Sequence, residues 1–382
     1  MTKIKQPKIR FKGHINDWEQ RKLKDVSKIY DGTHQTPKYT DSGVMFLSVE
    51  NIRTLKSNKY ISQESFDKEF KIRPKKGDIL MTRIGDIGTP NVVESDEETA
   101  YYVSLALIKS KMHSYFMKAN ILATPFQNEL WKRTLHIAFP KKINKNEIGE
   151  TIFNFPDYVE QEKIGEFFKT LDDTIALHQQ KLEVTKQFKQ TMLKKMFPKN
   201  GETTPEIRFK GFTEDWEKCK LKDLCSLSTG KLDANAMTSD GKYSFFTSGE
   251  KVYKTDTFAF DGDAILIAGN GNVGLQHIYR GKFNAYQRTY VLMDFKINKE
   301  ILSNQITLEL PKVLRRETRV GVIPYIVKDM LTELPISYPR NVKEQTLISE
   351  YFNTLNSNIF NIECRLVNLL NLKQTMLKKL YI

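Results

Sequence analysis

Gly269-Asn270-Gly271-Asn272-Val273-Gly274 has the glycine spacing of a dinucleotide-binding loop, directly after the apolar run AILIA, with Asp294 twenty residues further on. Such a loop needs a helix behind it, whose N-terminus holds the pyrophosphate. The sequence that follows, LQHIYRGKFNAYQRTYVL, alternates like a strand and contains Gly281, so the segment is expected to be a tight strand–strand loop. Asn154-Phe155-Pro156-Asp157-Tyr158 has the outline of the Asn-Pro-Pro-Tyr box with which methyltransferases hold an adenine. It lacks the second proline, and no methyl-donor glycine motif precedes it. Glu69-Phe70-Lys71 is a Glu-x-Lys without a Pro-Asp pair at nuclease spacing. The six histidines (14, 34, 113, 136, 178, 277) have no metal-ligand spacing, and Cys219, Cys225 and Cys364 form no Cys-x-x-Cys. No phosphate-binding GxxxxGK[ST] occurs. The expectation is a chain with no catalytic or metal constellation of its own.

Sixty Lys and Arg against 46 Asp and Glu give a net charge of +14 over 382 residues. That balance suits a polyanionic partner, or a proteome rich in Lys, Asn and Ile. With 40% hydrophobic and 11% aromatic residues the chain can build packed cores, which excludes wholesale disorder. The start, MTKIKQPKIRFKG, has no signal-like apolar stretch, and no apolar run reaches membrane-spanning length. A soluble, reduced, cytoplasmic protein with no membrane partner is expected.

The sequence repeats itself. IRFKGHINDWEQRKLKDV (9–26) and IRFKGFTEDWEKCKLKDL (207–224) are identical at 12 of 18 positions, at an offset of 198. EQEKIGEFFKTLDDTI (160–175) aligns with EQTLISEYFNTLNSNI (344–359), and TMLKKM (191–196) with TMLKKL (375–380), at an offset of 184. The two offsets sum to the chain length of 382. The repeat is therefore circular, and it predicts ends that lie close together and a pseudo-two-fold fold. A plain tandem duplication explains the repeats but not the matching junctions.

What carries the repeat is mostly helix. Ile164, Phe168, Leu171, Ile175, Leu182, Phe188 and Met192 recur at three- and four-residue spacing, and so do Ile348, Phe352, Leu355, Ile359, Ile362, Leu366, Leu369, Leu372 and Met376. That is the seam of a coiled coil, broken in the first copy at His178 and Thr185. Each helix should run for about 38 residues, or about 57 Å, with Pro198 and KNGETTPE (199–206) ending the first. A short linker into the second globular unit makes the pair antiparallel, with a globular unit at each end of the rod. Both units read as mixed α/β (α+β), with strands in GVMFLSVENI (43–52), GDILMTRIG (77–85) and YYVSLALIKS (101–110), then in YSFFTSG (243–249), DAILIAG (263–269) and AYQRTYVLMDF (285–295).

IRFKG…DWE…KLKD opening each half, GDILMTRIGDIG within one, EQ-KI-EFF-TLDD-I with TMLKKMFPK closing it, and FFTSGEKVY (245–253) with GKFNAYQRTYVL (281–292) in the other together resemble the specificity subunit of type I restriction–modification systems. The resemblance spans nearly the whole chain. It implies two target-recognition domains, 1–155 and, with its linker, 199–338. Two conserved helices, 156–198 and 339–382, would separate them. Each domain would read one half of a bipartite site in double-stranded DNA. The helices would set the gap and dock two methylation subunits, which bind S-adenosylmethionine and methylate adenine. Restriction subunits using ATP and Mg would complete the nuclease, and this chain would be non-catalytic. The docking and pairing residues are then Ile164, Phe168, Leu171, Ile175, Leu182, Ile348, Phe352, Leu355, Ile359 and Leu366. A two-domain DNA-binding regulator without methyltransferase partners is the alternative.

For base and phosphate contact, Arg, Lys, Asn and Gln on loops have the right donors and acceptors. In the first unit these are Arg53, Lys75, Lys76, Arg83 and Arg133. In the second they are Asn270, Asn272, Arg280, Gln287, Arg288, Arg315, Arg316 and Arg319. Each unit is only mildly basic (19 basic and 15 acidic side chains over 27–155, 14 and 12 over 225–338), which fits contact on one side.

Overall fold

A computed structural model describes residues 6–199, 201–317 and 324–381. The chain forms two compact units, residues 1–179 with 364–382, and residues 180–363. The first unit opens with β1 (Glu19–Lys22), α1 (Leu23–Val26), β2 (Ser27–Asp31), β3 (Val44–Leu47), β4 (Tyr60–Ile61) and α2 (Gln63–Glu69). There follow β5 (Ile79–Ile84), β6 (Asp86–Val92), β7 (Thr99–Tyr101), β8 (Leu105–Ser110), α3 (Ser114–Leu122), α4 (Thr124–Arg133), α5 (Lys145–Gly149) and β9 (Ile152–Phe155). The long helix α6 (Tyr158–Lys195) leads on into the second unit.

That unit contains β10 (Glu217–Lys220), α7 (Leu221–Leu224), β11 (Ser226–Thr229), β12 (Tyr243–Phe246), β13 (Tyr253–Thr255), β14 (Phe260–Ala268), β15 (Gln276–Ala285) and β16 (Thr289–Met293). It closes with α8 (Lys299–Glu317), α9 (Lys328–Thr332) and β17 (Pro335–Tyr338), and α10 (Val342–Lys379) returns the chain to the first unit. No helix among the described residues is long and apolar enough to cross a membrane.

Both units follow one route. The order β2-β8-β5-β6 in the first matches β11-β16-β14-β15 in the second. A parallel neighbour then adds a further strand, β3 on β7 and β12 on β15. The ten-residue β15 occupies the place that β6 and β7 share. Gly269–Gly274 joins the antiparallel pair β14 and β15, so it is a strand–strand loop and opens no helix.

The frame that holds each unit is written twice. Trp18 is 2% exposed and packs edge-on against Phe116 and Tyr381, both at 5.9 Å. Trp216 packs edge-on against Phe197 at 5.7 Å, and Phe197 is the residue that the 184 offset maps onto Tyr381. The Ile9 N–H donates to the Lys379 carbonyl at 3.2 Å, and the Ile207 N–H to that of Lys195 at 2.9 Å. Each opening strand pairs with the strand before the long helix, β1 with β9 and β10 with β17. Thus the chain's two end segments meet inside the first unit through the same bonds that continuous chain makes in the second.

The long helices are antiparallel in each unit. In the first, Asp172 pairs with Lys373 at 2.6 Å and Phe168 lies against Tyr381. In the second, Lys186 pairs with Glu363 at 2.6 Å and Phe197 lies against Phe352. Ile164, Phe168, Leu171, Ile175, Ile348, Phe352 and Leu366 are buried, while Leu182, Leu355 and Ile359 are half-buried.

One part of the expected seam is corrected. Phe188 and Leu372, repeat mates, are exposed at 46% and 39%. The seam passes instead to Lys189 and Lys373, which are half-buried. A straight α-helix drifts about 20° per heptad against a strict seven-residue count, and a four-residue step restores the phase. Lys373 is paired with Asp172. Lys189 has no such acid, because Asn356 stands where the repeat would place one, and burial pushes its pKa down.

Gly165 shows why the first helix carries a glycine near its start. A Cβ there would lie 2.0 Å from His113 Nδ1 and 2.9 Å from the Phe116 amide nitrogen. Helix propensity alone favours Gly→Ala by about 1 kcal/mol, yet overpacking costs about 1–3 kcal/mol and dominates. Gly165→Ala is therefore expected to lower the urea midpoint. Adding His113→Ala should recover most of the loss; no recovery would place the conflict at the Phe116 backbone.

Candidate nucleic-acid interface

Small polar side chains and glycines leave the strands of each unit through a cluster of connections that hydrogen bonds tie together. In the second unit the Gly269 N–H donates to the Arg288 carbonyl at 2.9 Å and the Tyr286 N–H to that of Phe246 at 2.9 Å. The Gln287 N–H donates to Leu232, the Asn272 N–H to Ser248, and the Ser248 hydroxyl to Asn270 Oδ1. The first unit repeats this wiring. The Arg83 N–H donates to Ser104 at 2.9 Å and the Tyr102 N–H to Leu47 at 2.8 Å, while the Val103 N–H donates to Thr33. Both clusters start at a glycine pressed onto backbone: a Cβ at Gly32 would lie 2.2 Å from the Tyr101 oxygen, and at Gly230 2.0 Å from that of Ala285.

The cluster in the second unit gathers Asn270, Asn272, Gln287 and Arg288. Asn272, Gln287 and Arg288 are exposed and Asn270 is half-buried. Gln287 is steadied by Asp233, to which its amide donates at 2.5 Å. Amides and a guanidinium held on short tied loops are the groups that pair bidentately with adenine and guanine edges. Arg280 stands apart, on the β15 ladder opposite Asp263, with its side chain 83% exposed. Arg315 and Arg316, on the last turn of α8, line a different cleft of about 520 Å³ with Lys199, Lys218 and Lys312. Arg319 lies outside the described residues.

The first unit departs further from the sequence-based expectation. Arg83 sits in the tied cluster but is only 6% exposed. Its guanidinium pairs with Asp31, and its Nε donates to the Ile143 carbonyl at 3.1 Å. Burial pushes its pKa down. As placed, Arg83 braces a loop and faces no surface. The second unit makes the same brace differently: the Tyr290 hydroxyl donates to the Ile326 carbonyl at 2.9 Å, and Gly269 leaves room for that ring.

Arg53 is exposed beside the cluster, with its carbonyl held by Asn91 at 3.1 Å. Lys75 and Lys76 are exposed at the opposite end of β5, where their amides bond Asp78 and Asp96. Arg133 is tied to Glu129 at 2.6 Å. The structure adds His34, Gln35 and Lys38, exposed on the loop that Gly32 opens. Gly32 and Gly230 stand 198 positions apart, so the repeat offset itself marked where this loop begins.

Other polar clusters are filled from within. His14, Asp157 and Glu160 bring ligand atoms together, but Arg10 grips Glu160 with two bonds of 2.7 Å, and Lys163 reaches His14 at 3.1 Å.

Comparison with known proteins agrees with this arrangement. The type I restriction modification DNA specificity domain family matches residues 15–187 and 213–372. The type I restriction enzyme EcoDI specificity subunit of Escherichia coli is 43% identical over 152 residues, 40% of this chain and 34% of that protein. The chain thus spans about a third of that relative. A putative type I specificity subunit of Mycoplasma pneumoniae is 26% identical over 200 residues, 50% of this chain and 76% of that protein. In fold, the chain is similar to the crystal structure of a type I restriction-modification S subunit from M. genitalium, with a TM-score of 0.70, 15% identity and 99% of each chain covered.

Proposed function

This chain belongs to the type I restriction modification DNA specificity family, and from that premise we propose that it is a reader of double-stranded DNA whose two units each recognise one half of a bipartite site. The observation that carries this reading is the duplicated loop wiring. One frame presents two loop clusters of different side chains, as two separate specificities require.

In this reading the chain performs no chemistry. The long helices set the unread gap and dock two methylation subunits, which use S-adenosylmethionine to methylate adenine; restriction subunits using ATP and Mg join the same assembly. Apolar side chains left in water on the helices support docking: Leu177, Val367, Leu370 and Leu372 in the first unit, and Val184, Phe188 and Phe360 in the second. Patches of that kind mark surfaces that partners cover.

Mapping methylated adenines across the genome, with the gene intact and deleted, tests the proposal. The expected result is loss of methylation at one motif of two short halves around a fixed gap. An unchanged methylation map, with tight sequence-specific binding by the isolated chain, would establish a regulator instead.

A further inference from the structure

The segment Thr134–Lys142 leaves α4 as a small hairpin. Leu135 and Lys142 bridge antiparallel, with the Leu135 N–H donating to the Lys142 carbonyl at 2.8 Å. Its base is fastened to the end of β5: the Gly85 N–H donates to Lys141 at 2.8 Å, and the Ile143 N–H to Arg83 at 3.0 Å. Arg83 closes the clamp from inside through Ile143.

The tip is apolar. Ile137 is 100% exposed and Phe139 105%, and Trp131 behind them is 56% exposed. Burying such side chains is favourable, and folding of this unit leaves them in water at a loop whose base is held by four bonds. Cations stand at the hairpin's base. Lys141 lies 4.6 Å over the Trp131 ring, Lys142 is exposed, Lys145 stands 3.7 Å from Asp31, and Glu129 on α4 is paired with Lys132 and Arg133.

We propose that the Thr134–Lys142 hairpin is a wedge that inserts Phe139 and Ile137 between stacked base pairs at the half-site read by the first unit. The inference rests on the DNA-reading function above. An apolar tip alone suits many partners, but one with exposed lysines at its base suits a surface with phosphates outside and flat apolar faces within. Proteins that unstack a base step use this combination of an apolar side chain and flanking cations. Arg83 is then a positioning residue, setting the hairpin's reach through the Ile143 carbonyl.

The test uses the full chain assembled with its methylation subunits, and duplexes carrying the mapped motif with 2-aminopurine at successive positions of that half-site. The expected result is a several-fold rise in fluorescence at one step on binding. The double change Ile137→Ala, Phe139→Ala should abolish that rise and weaken binding roughly ten-fold or more, with the thermal melt unchanged because both side chains are in water. Specific binding by the wild type without a fluorescence rise, and equal binding by the variant, would overturn the wedge and leave the reader intact. Failure of the variant to assemble with the methylation subunits, with DNA binding unaltered, would also overturn it, placing the hairpin against protein. Absence of any sequence-specific binding by the wild-type assembly would remove the underlying reading itself.

Discussion

Arg10→Ala is expected to destabilise the protein by about 3–5 kcal/mol, because it leaves a buried carboxylate without its cation. The Glu160 side chain is 0% exposed and accepts two bonds from Arg10. Arg208→Ala should do the same through Glu344, which is 1% exposed and held by bonds of 2.7 and 2.9 Å.

The two changes should not be equal. His14 stands 3.9 Å from Glu160 with Lys163 beside it, whereas the repeat places Phe212 and Leu347 at those positions. Arg208→Ala therefore strands its carboxylate without an imidazole or lysine beside it, the nearby Arg340 being tied to Glu217, and should cost more. Replacing both members of a pair with apolar residues of similar volume should restore much of the loss. Urea unfolding of the single and double variants checks this; single changes costing under about 1 kcal/mol would show that these pairs do not hold the frame.

The frame was legible in the sequence because it occurs twice. In both copies IRFKG carries the arginine, DWE the buried tryptophan and the stretch before KLKD the opening strand, and EQ carries the glutamate that the arginine holds. The helices were legible from their period, which alternating three- and four-residue steps give without knowledge of the partner. The seam's end was not, since a heptad count assumes supercoiling and places Phe188 and Leu372 inside, where the straighter helix places Lys189 and Lys373. The parallel neighbour in each sheet was also beyond reach, because β12 meets β15 only through the route of the chain.

Side-chain roles at the candidate interface were harder to read. Arg83 in TRIGDIG has the look of a loop cation, and its partner Asp31 lies 52 residues earlier. Ile137 and Phe139 in HIAFPKK have the look of core residues, and only the fold reveals them in water. Asn270, Asn272, Gln287 and Arg288 come from two separate turns, only the first of them glycine-rich, and the tied loops bring them together.

The central claim is that the two units read independently. Its most direct test replaces residues 27–155 with the matching segment of another family member and maps methylated adenines in cells that carry the hybrid. The account predicts a motif in which one half changes while the other half and the gap persist, because the second unit's loops and both long helices are untouched. A hybrid in which both halves change together, with assembly intact, would contradict it.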